Sequence, residues 1–176
     1  MLSIEKCPAP TDTMLHNYSR NGSYADCYRT AVPGLISLPD YVFAFYTSPL
    51  FRLERLILTL VVSKPSTDAQ AQQLANGAIE SFAAWNVEGR SGREILMCDF
   101  LGRTRSWLMV IPMNIVNCAG TQLYFGSAVV PKRNSKTTSQ SLGLGFRALL
   151  VFHKTYSRLL LYFAKSRIAR QLSRRP

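Results

Sequence analysis

The side chains best suited to chemistry are His153 and Tyr156 near the end of the chain and Asp99 near its middle. His153 and Tyr156 are three residues apart, which puts them on one face of any helix that holds them. An imidazole that titrates near neutral pH, set beside a phenol, suits general acid/base work or the anchoring of a ligand's polar end. The competing role is structural: a histidine on an apolar helix face bonded to backbone or to a tyrosine. Asp99 follows Leu96 and Met97 and precedes Phe100. If buried, its carboxylate needs a partner, Arg103 or Arg105, or its pKa rises. It would then suit catalysis; the competing role is to cap the turn at Gly102. No second acid stands near it, which argues against paired-carboxylate hydrolysis.

Several other chemistries lack their residues. No GxSxG elbow occurs, and a Ser/His/Asp or Cys/His triad would have to draw on His153 or His16, the only two histidines. The cysteines Cys7, Cys27, Cys98 and Cys118 show no CxxC spacing, so no metal site is expected, and they read as free thiols in a reducing compartment. Leu142-Gly143-Leu144-Gly145-Phe146 places two glycines before a helix, as a phosphate cradle does, but it lacks the third glycine and a following Lys-Ser/Thr. No cofactor is expected. Trp85 and Trp107 fall on strands, where they either line a pocket or pack a core. Arg105 shares a strand face with Trp107 and would be able to stack on it.

The chain carries 21 Lys and Arg against 10 Asp and Glu, a net charge of +11. The last acid is Asp99; thirteen Lys and Arg follow it with no Asp or Glu among them. At about 100° per residue, Arg147, Lys154, Arg158 and Lys165 form a narrow basic stripe along the last helix. Such a stripe suits an anionic membrane surface, where each cation contributes about 1 kcal/mol. A solvated face that serves solubility is the alternative. Nucleic acid is disfavoured, since no helix-turn-helix, RNP-type or zinc-finger signal is present.

The elements that must position these residues follow from composition and punctuation. Hydrophobic residues make up 47% of 176 and charged residues 18%, enough for one core and one domain. Residues 1–23 read as a flexible lead-in with no apolar leader segment, residues 24–170 as the domain, and residues 171–176 as a basic tail. Ala25–Val32 is a first strand. Ser37-Leu38-Pro39-Asp40 and Ser48-Pro49 are two consecutive helix starts, which make a two-helix corner. The segment Leu50–Val62 carries Arg52, Glu54 and Arg55 and is too short to span a bilayer, so it is expected as a core helix. Thr67 with Gln70 forms a capping box for a small helix. A meander follows, with strands expected over Phe82–Val87, Glu94–Phe100, Thr104–Ile111 and Thr121–Val130 and a loop over Asn114–Gly120. The long last helix is expected to bury Leu149, Phe152, Tyr156, Leu159, Leu160 and Phe163.

This order of strand, two-helix corner, antiparallel meander and long C-terminal helix resembles the START/SRPBCC helix-grip superfamily, which includes birch-pollen-allergen-like proteins and polyketide cyclases. The segments Asp99-Phe-Leu-Gly-Arg-Thr-Arg-Ser-Trp107, Leu123-Tyr-Phe-Gly-Ser-Ala128 and Phe152-His153-Lys154-Thr-Tyr156-Ser-Arg158 look like those of an uncharacterised bacterial branch. The resemblance implies an α+β fold in which an antiparallel sheet curves around the last helix and leaves a cavity between them. It implies binding of a small apolar molecule or lipid there, with Trp85, Trp107, Tyr124, Phe152, His153 and Tyr156 as lining groups. Docking to an anionic membrane by the basic stripe would accompany it. An enzyme of the same fold, a cyclase, isomerase or dehydratase using His153 or Asp99 as acid/base, is the alternative. A structural or assembly protein without ligand is the second alternative. The expected location is cytoplasmic, at most peripheral to the inner face of the membrane.

Overall fold

In the computed structural model the described residues are 3–20, 23–115, 118–130 and 144–173, with side chains described for all of these except Val62, Ile115 and 144–154. Strand β1 (Glu5–Lys6) and helix α1 (Met14–Arg20) come first, then β2 (Tyr24–Pro33). The corner is α2 (Leu38–Tyr46) and α3 (Pro49–Val62), followed by α4 (Asp68–Ala75). The meander is β3 (Ser81–Phe82), β4 (Trp85–Arg90), β5 (Glu94–Asp99), β6 (Thr104–Ile115) and β7 (Cys118–Val129), and α5 (Leu144–Leu172) closes the chain.

The helix starts form where the local chemistry places them. Ser37 Oγ accepts from the Asp40 amide at 3.2 Å, and Ser48 Oγ accepts from the Phe51 amide at 3.3 Å. Each satisfies one of the amides that a helix N-terminus leaves orphaned. Thr67 and Gln70 complete a reciprocal capping box. Arg55, a buried cation on α3, ties this region together: its guanidinium donates to the Ser66 carbonyl at 2.6 Å and pairs with Asp68 at 2.7 Å.

The seven strands form one antiparallel, curled sheet in the order β1-β2-β7-β6-β5-β4-β3. The long-range closure is β2 on β7, in register from Tyr24↔Val129 to Pro33↔Gly120. Two expected boundaries differ. The stretch Phe82–Val87 is not one strand: Ala83 adopts a left-handed φ of 52°, and the chain turns there so that Phe82 pairs with Trp85. The loop expected over Asn114–Gly120 is mostly ladder, since Asn114 pairs with Ala119 and Ile115 with Cys118.

Alternation along the strands sends residues to two covered faces. On the helix face, Tyr28, Val32, Ile95, Met97, Leu108 and Phe125 pack against Tyr41, Phe45 and Tyr46 of α2, Leu74 of α4, and Leu160, Leu161, Ala164 and Ile168 of α5. On the opposite face, Leu15 of α1 packs with Cys27, Leu96, Trp107, Met109 and Ala128. Gly126 is required beneath α1, because a Cβ there would collide with Leu15 and lie 2.9 Å from the Asp26 carbonyl oxygen.

Three sequence expectations change as a result. The lead-in is not a loose end: β1 pairs with β2, and Leu15 is fully buried. The helix α3 is not enclosed: Leu53, Leu56, Ile57, Leu60 and Val61 are all at least half exposed, and its inward side is Phe51, Glu54, Arg55 and Leu58. The helix α5 is turned relative to the expected face. It buries Ser157, Leu160, Leu161, Ala164 and Ile168, while Leu159 and Tyr162 are exposed. The small residues Ser157 and Ala164 let the helix approach closely, which a weighting of apolar bulk alone misses. Among the described residues no helix is long and apolar enough to cross a membrane.

If α1 is part of the domain, Leu15→Ala should lower unfolding free energy by roughly 2–5 kcal/mol in urea titration, whereas Leu60→Gln on the exposed stripe should change it by less than about 0.5 kcal/mol. Equal, small effects from both would show that α1 does not contribute to the core.

Candidate functional site

Between the helix face of the sheet and helices α2, α3 and α5 lies a cavity of about 300 Å³. Its apolar wall is aromatic: Phe45, Phe51, Trp85, Phe100, Phe125 and Tyr156. Its polar groups are Glu54, Asp99, Thr104, Arg105, Ser106, Ser127 and Ser157. The corner delivers Phe45 from α2 and Phe51 and Glu54 from α3. The pairing of β4 with β5 sets Trp85 opposite Asp99, and α5 lays Tyr156 and Ser157 across the top.

The centre of the polar group is Glu54. Its Oε2 accepts a hydrogen bond from the Tyr156 hydroxyl, and Trp85 lines the same wall. Burial raises the Glu54 pKa above the ordinary carboxylate value, and the bond from Tyr156 opposes that rise without cancelling it. Tyr156 is pushed up too, first by burial and then by the negative charge of Glu54. Ser157, only 1% exposed, has a hydroxyl with no hydrogen-bond partner among the described residues. Asp99 lines the same wall, and its Oδ1 accepts from the Arg103 amide at 2.6 Å and the Thr104 amide at 3.0 Å. One of its oxygens therefore holds the β5–β6 turn, as the capping role anticipates.

The sequence-derived candidates are only partly brought together. Trp85, Tyr156 and Asp99 meet at the cavity. Trp107 does not: it is fully buried on the opposite face under α1, with its indole N–H donating to Glu94 Oε2 at 2.6 Å. Tyr124 shares that face, its ring 6.2 Å from that of Trp107. Their strands are covered on both sides, so alternation alone does not tell which side holds the cavity. Arg105 stacks on Tyr18 of α1, 5.2 Å from the ring centre, instead of on Trp107, and pairs with Glu88. His153 and Phe152 belong to α5, but their side chains lie outside the described residues, as do those of Arg147 and Lys154. Leu142 and Gly143 of the two-glycine segment are likewise outside them. The other two members of the basic stripe contact β2: the Arg158 guanidinium lies 5.6 Å from the Tyr28 ring centre, and Lys165 Nζ donates to Thr30 Oγ1 at 3.1 Å.

Glu54 was legible only as a charge that interrupts an apolar helix. The stronger signal is its spacing, three after Phe51 and four before Leu58, which sets an acid in the middle of the inward stripe. His16 falls elsewhere, in a hollow under α1 with Cys7 and Cys27, whose sulfurs are 3.5 Å apart. All four cysteines are free. Among the described residues no group of three or more His, Cys, Asp or Glu side chains is arranged to hold a metal ion.

The fold and site define an α+β protein with a seven-stranded antiparallel sheet, a C-terminal helix and a partly open cavity rich in aromatic rings. No protein-family model matches the chain, and no curated protein or solved structure is significantly similar to it.

A raised carboxyl pKa has a defined effect on stability. The folded chain holds the Glu54 proton more tightly than the unfolded chain, so this stabilisation is complete below the unfolded value of about 4.3. It is lost as pH rises through the higher folded value. Urea unfolding between acid and neutral pH should therefore show wild type losing stability relative to Glu54→Gln as pH rises. Parallel curves would mean that Glu54 titrates as a solvated acid.

Proposed function

We propose that this chain binds a small apolar molecule in the cavity bounded by Phe51, Trp85, Phe125 and Tyr156, oriented by the polar cluster around Glu54. The observation that carries this reading is the combination of six aromatic rings and three aliphatic side chains with convergent polar groups, one of them a buried serine hydroxyl without a partner among the described residues. That is the usual composition of a small-molecule site. A volume of about 300 Å³ favours a compact ligand over a two-chain lipid. The element order, with a corner after β2 and α5 lying on the sheet, is compatible with a helix-grip-like fold and supports the same reading. Within it, the cation excess after Asp99 would assist docking to an anionic membrane surface.

A second reading is an acid–base enzyme of the same fold, a cyclase, isomerase or dehydratase. The part-buried Glu54 with its raised pKa favours it, since general acids are tuned in this way. Asp99 and His153 stand as further candidates for acid or base. A binder tolerates Glu54→Gln with altered affinity alone, whereas an enzyme loses turnover.

Native mass spectrometry of protein purified from its own host should reveal a retained small-molecule mass. Leu58→Trp, which narrows the cavity at α3, should lose that mass while melting within a few degrees of wild type. An undiminished mass in a folded Leu58→Trp variant would place the ligand elsewhere. Absence of any bound mass, with no binding of aromatic probes, would favour a structural or assembly role.

A further inference from the structure

The charge inside the cavity is opposite to the charge of the protein. Lys and Arg outnumber Asp and Glu by 21 to 10 in the whole chain. The cavity wall nevertheless holds two carboxyl groups, Glu54 and Asp99, and neither forms an ion pair with any described residue. Arg105 contributes to the same wall, yet its guanidinium is spent on Tyr18 and Glu88. A carboxylate set among aromatic rings is costly unless a positive charge joins it.

Burial disfavours the charged form of Glu54, and the hydrogen bond it accepts opposes burial. The Tyr156 hydroxyl donates to Glu54. That bond favours the ionised carboxylate. Among the described residues no cation pairs with Glu54 or Asp99, and the rest of the wall is suited to one. Trp85, Tyr156, Phe51 and Phe100 bring aromatic rings to the wall, and the face of such a ring attracts a cation electrostatically. The Ser157 hydroxyl, buried and unpartnered, offers a further acceptor. A neutral hydroxyl ligand would satisfy Ser157 but leave the charge uncompensated, and a carboxylate ligand would add a third negative group.

We propose that the cavity selects apolar ligands bearing a protonated amine, with the ammonium held by the Glu54 carboxylate and Ser157 and its carbon frame packed among the aromatic rings. This rests on the small-molecule reading above and names the chemical class of the ligand. The long-range field of a +11 protein repels such a ligand, so any preference for an amine must arise inside the cavity.

The test is a matched series of compact probes, 4-phenylbutylamine, 4-phenylbutanol and 4-phenylbutanoate, titrated into the full chain by calorimetry at neutral pH. The amine is expected to bind roughly ten- to hundredfold more tightly than the alcohol, as a charge-assisted hydrogen bond provides, and the acid least tightly. Glu54→Gln should bring the amine to the level of the alcohol and leave the alcohol unchanged, and Glu54→Asp should keep part of the preference. Equal binding of amine and alcohol would overturn the amine selectivity and leave the cavity reading intact. Tightest binding of the acid would also overturn it. If none of the three binds, both readings fail. Should Glu54→Gln not fold, the order of the three probes on wild type decides the matter alone.

Discussion

The antiparallel pairing of β2 with β7 is the constraint on which the rest of the molecule depends. It joins Tyr24–Pro33 to Gly120–Val129, segments about a hundred residues apart, over a ten-residue register. Such a contact is entropically expensive to form and returns its stabilisation only when the intervening chain has folded. Once made, it places the corner α2–α3 and the helix α5 on one face of a single sheet. It also brings Ser127 against Asp26, whose side chains bond at 2.5 Å in the buried interior. The cavity is the space left where the corner, the meander and α5 meet without filling the volume between them.

The second feature of the architecture is that the sheet is covered on both faces. The helix α1 caps the outer side, where Trp107 satisfies its indole N–H with Glu94 and Gly126 yields room for Leu15. A half-buried sheet shows a clean polar–apolar alternation, but this one does not. In β5 the run Glu94 to Met97 is buried throughout, so period-two patterning carries little information about which side is inside. That is why Trp85 and Trp107, similar in sequence context, end on opposite sides of the sheet. It is also why α1, an inconspicuous polar stretch in sequence, belongs to the core.

The site combines an apolar enclosure with a negative interior in a strongly basic chain. Glu54 sits on α3 between Phe51 and Leu58, and Arg55, the next residue and also buried, is held by Ser66 and Asp68. Adjacent residues on one helix thus separate two jobs: the cation anchors the helix to the next element, and the acid faces the cavity. The outward stripe of α3, from Leu53 to Val61, remains an exposed apolar surface.

Short-range physics made much of the architecture legible in advance. Ser37, Ser48 and Thr67 start their helices because each presents an oxygen to amides a few residues on, and the turn at Gly102 follows from a left-handed φ of 70°. The class of fold, the two-helix corner, the meander and the long last helix were all readable from such signals, as were Trp85, Tyr156 and Asp99 as groups worth attention. The sequence was silent on the rotation of α5, the burial of α1 and the role of Glu54. These depend on contacts between residues far apart, such as Glu54 with Tyr156 across 102 positions. Local patterning determines which residues can be buried. Only the curled sheet, by bringing distant segments together, decides which of them share a cavity.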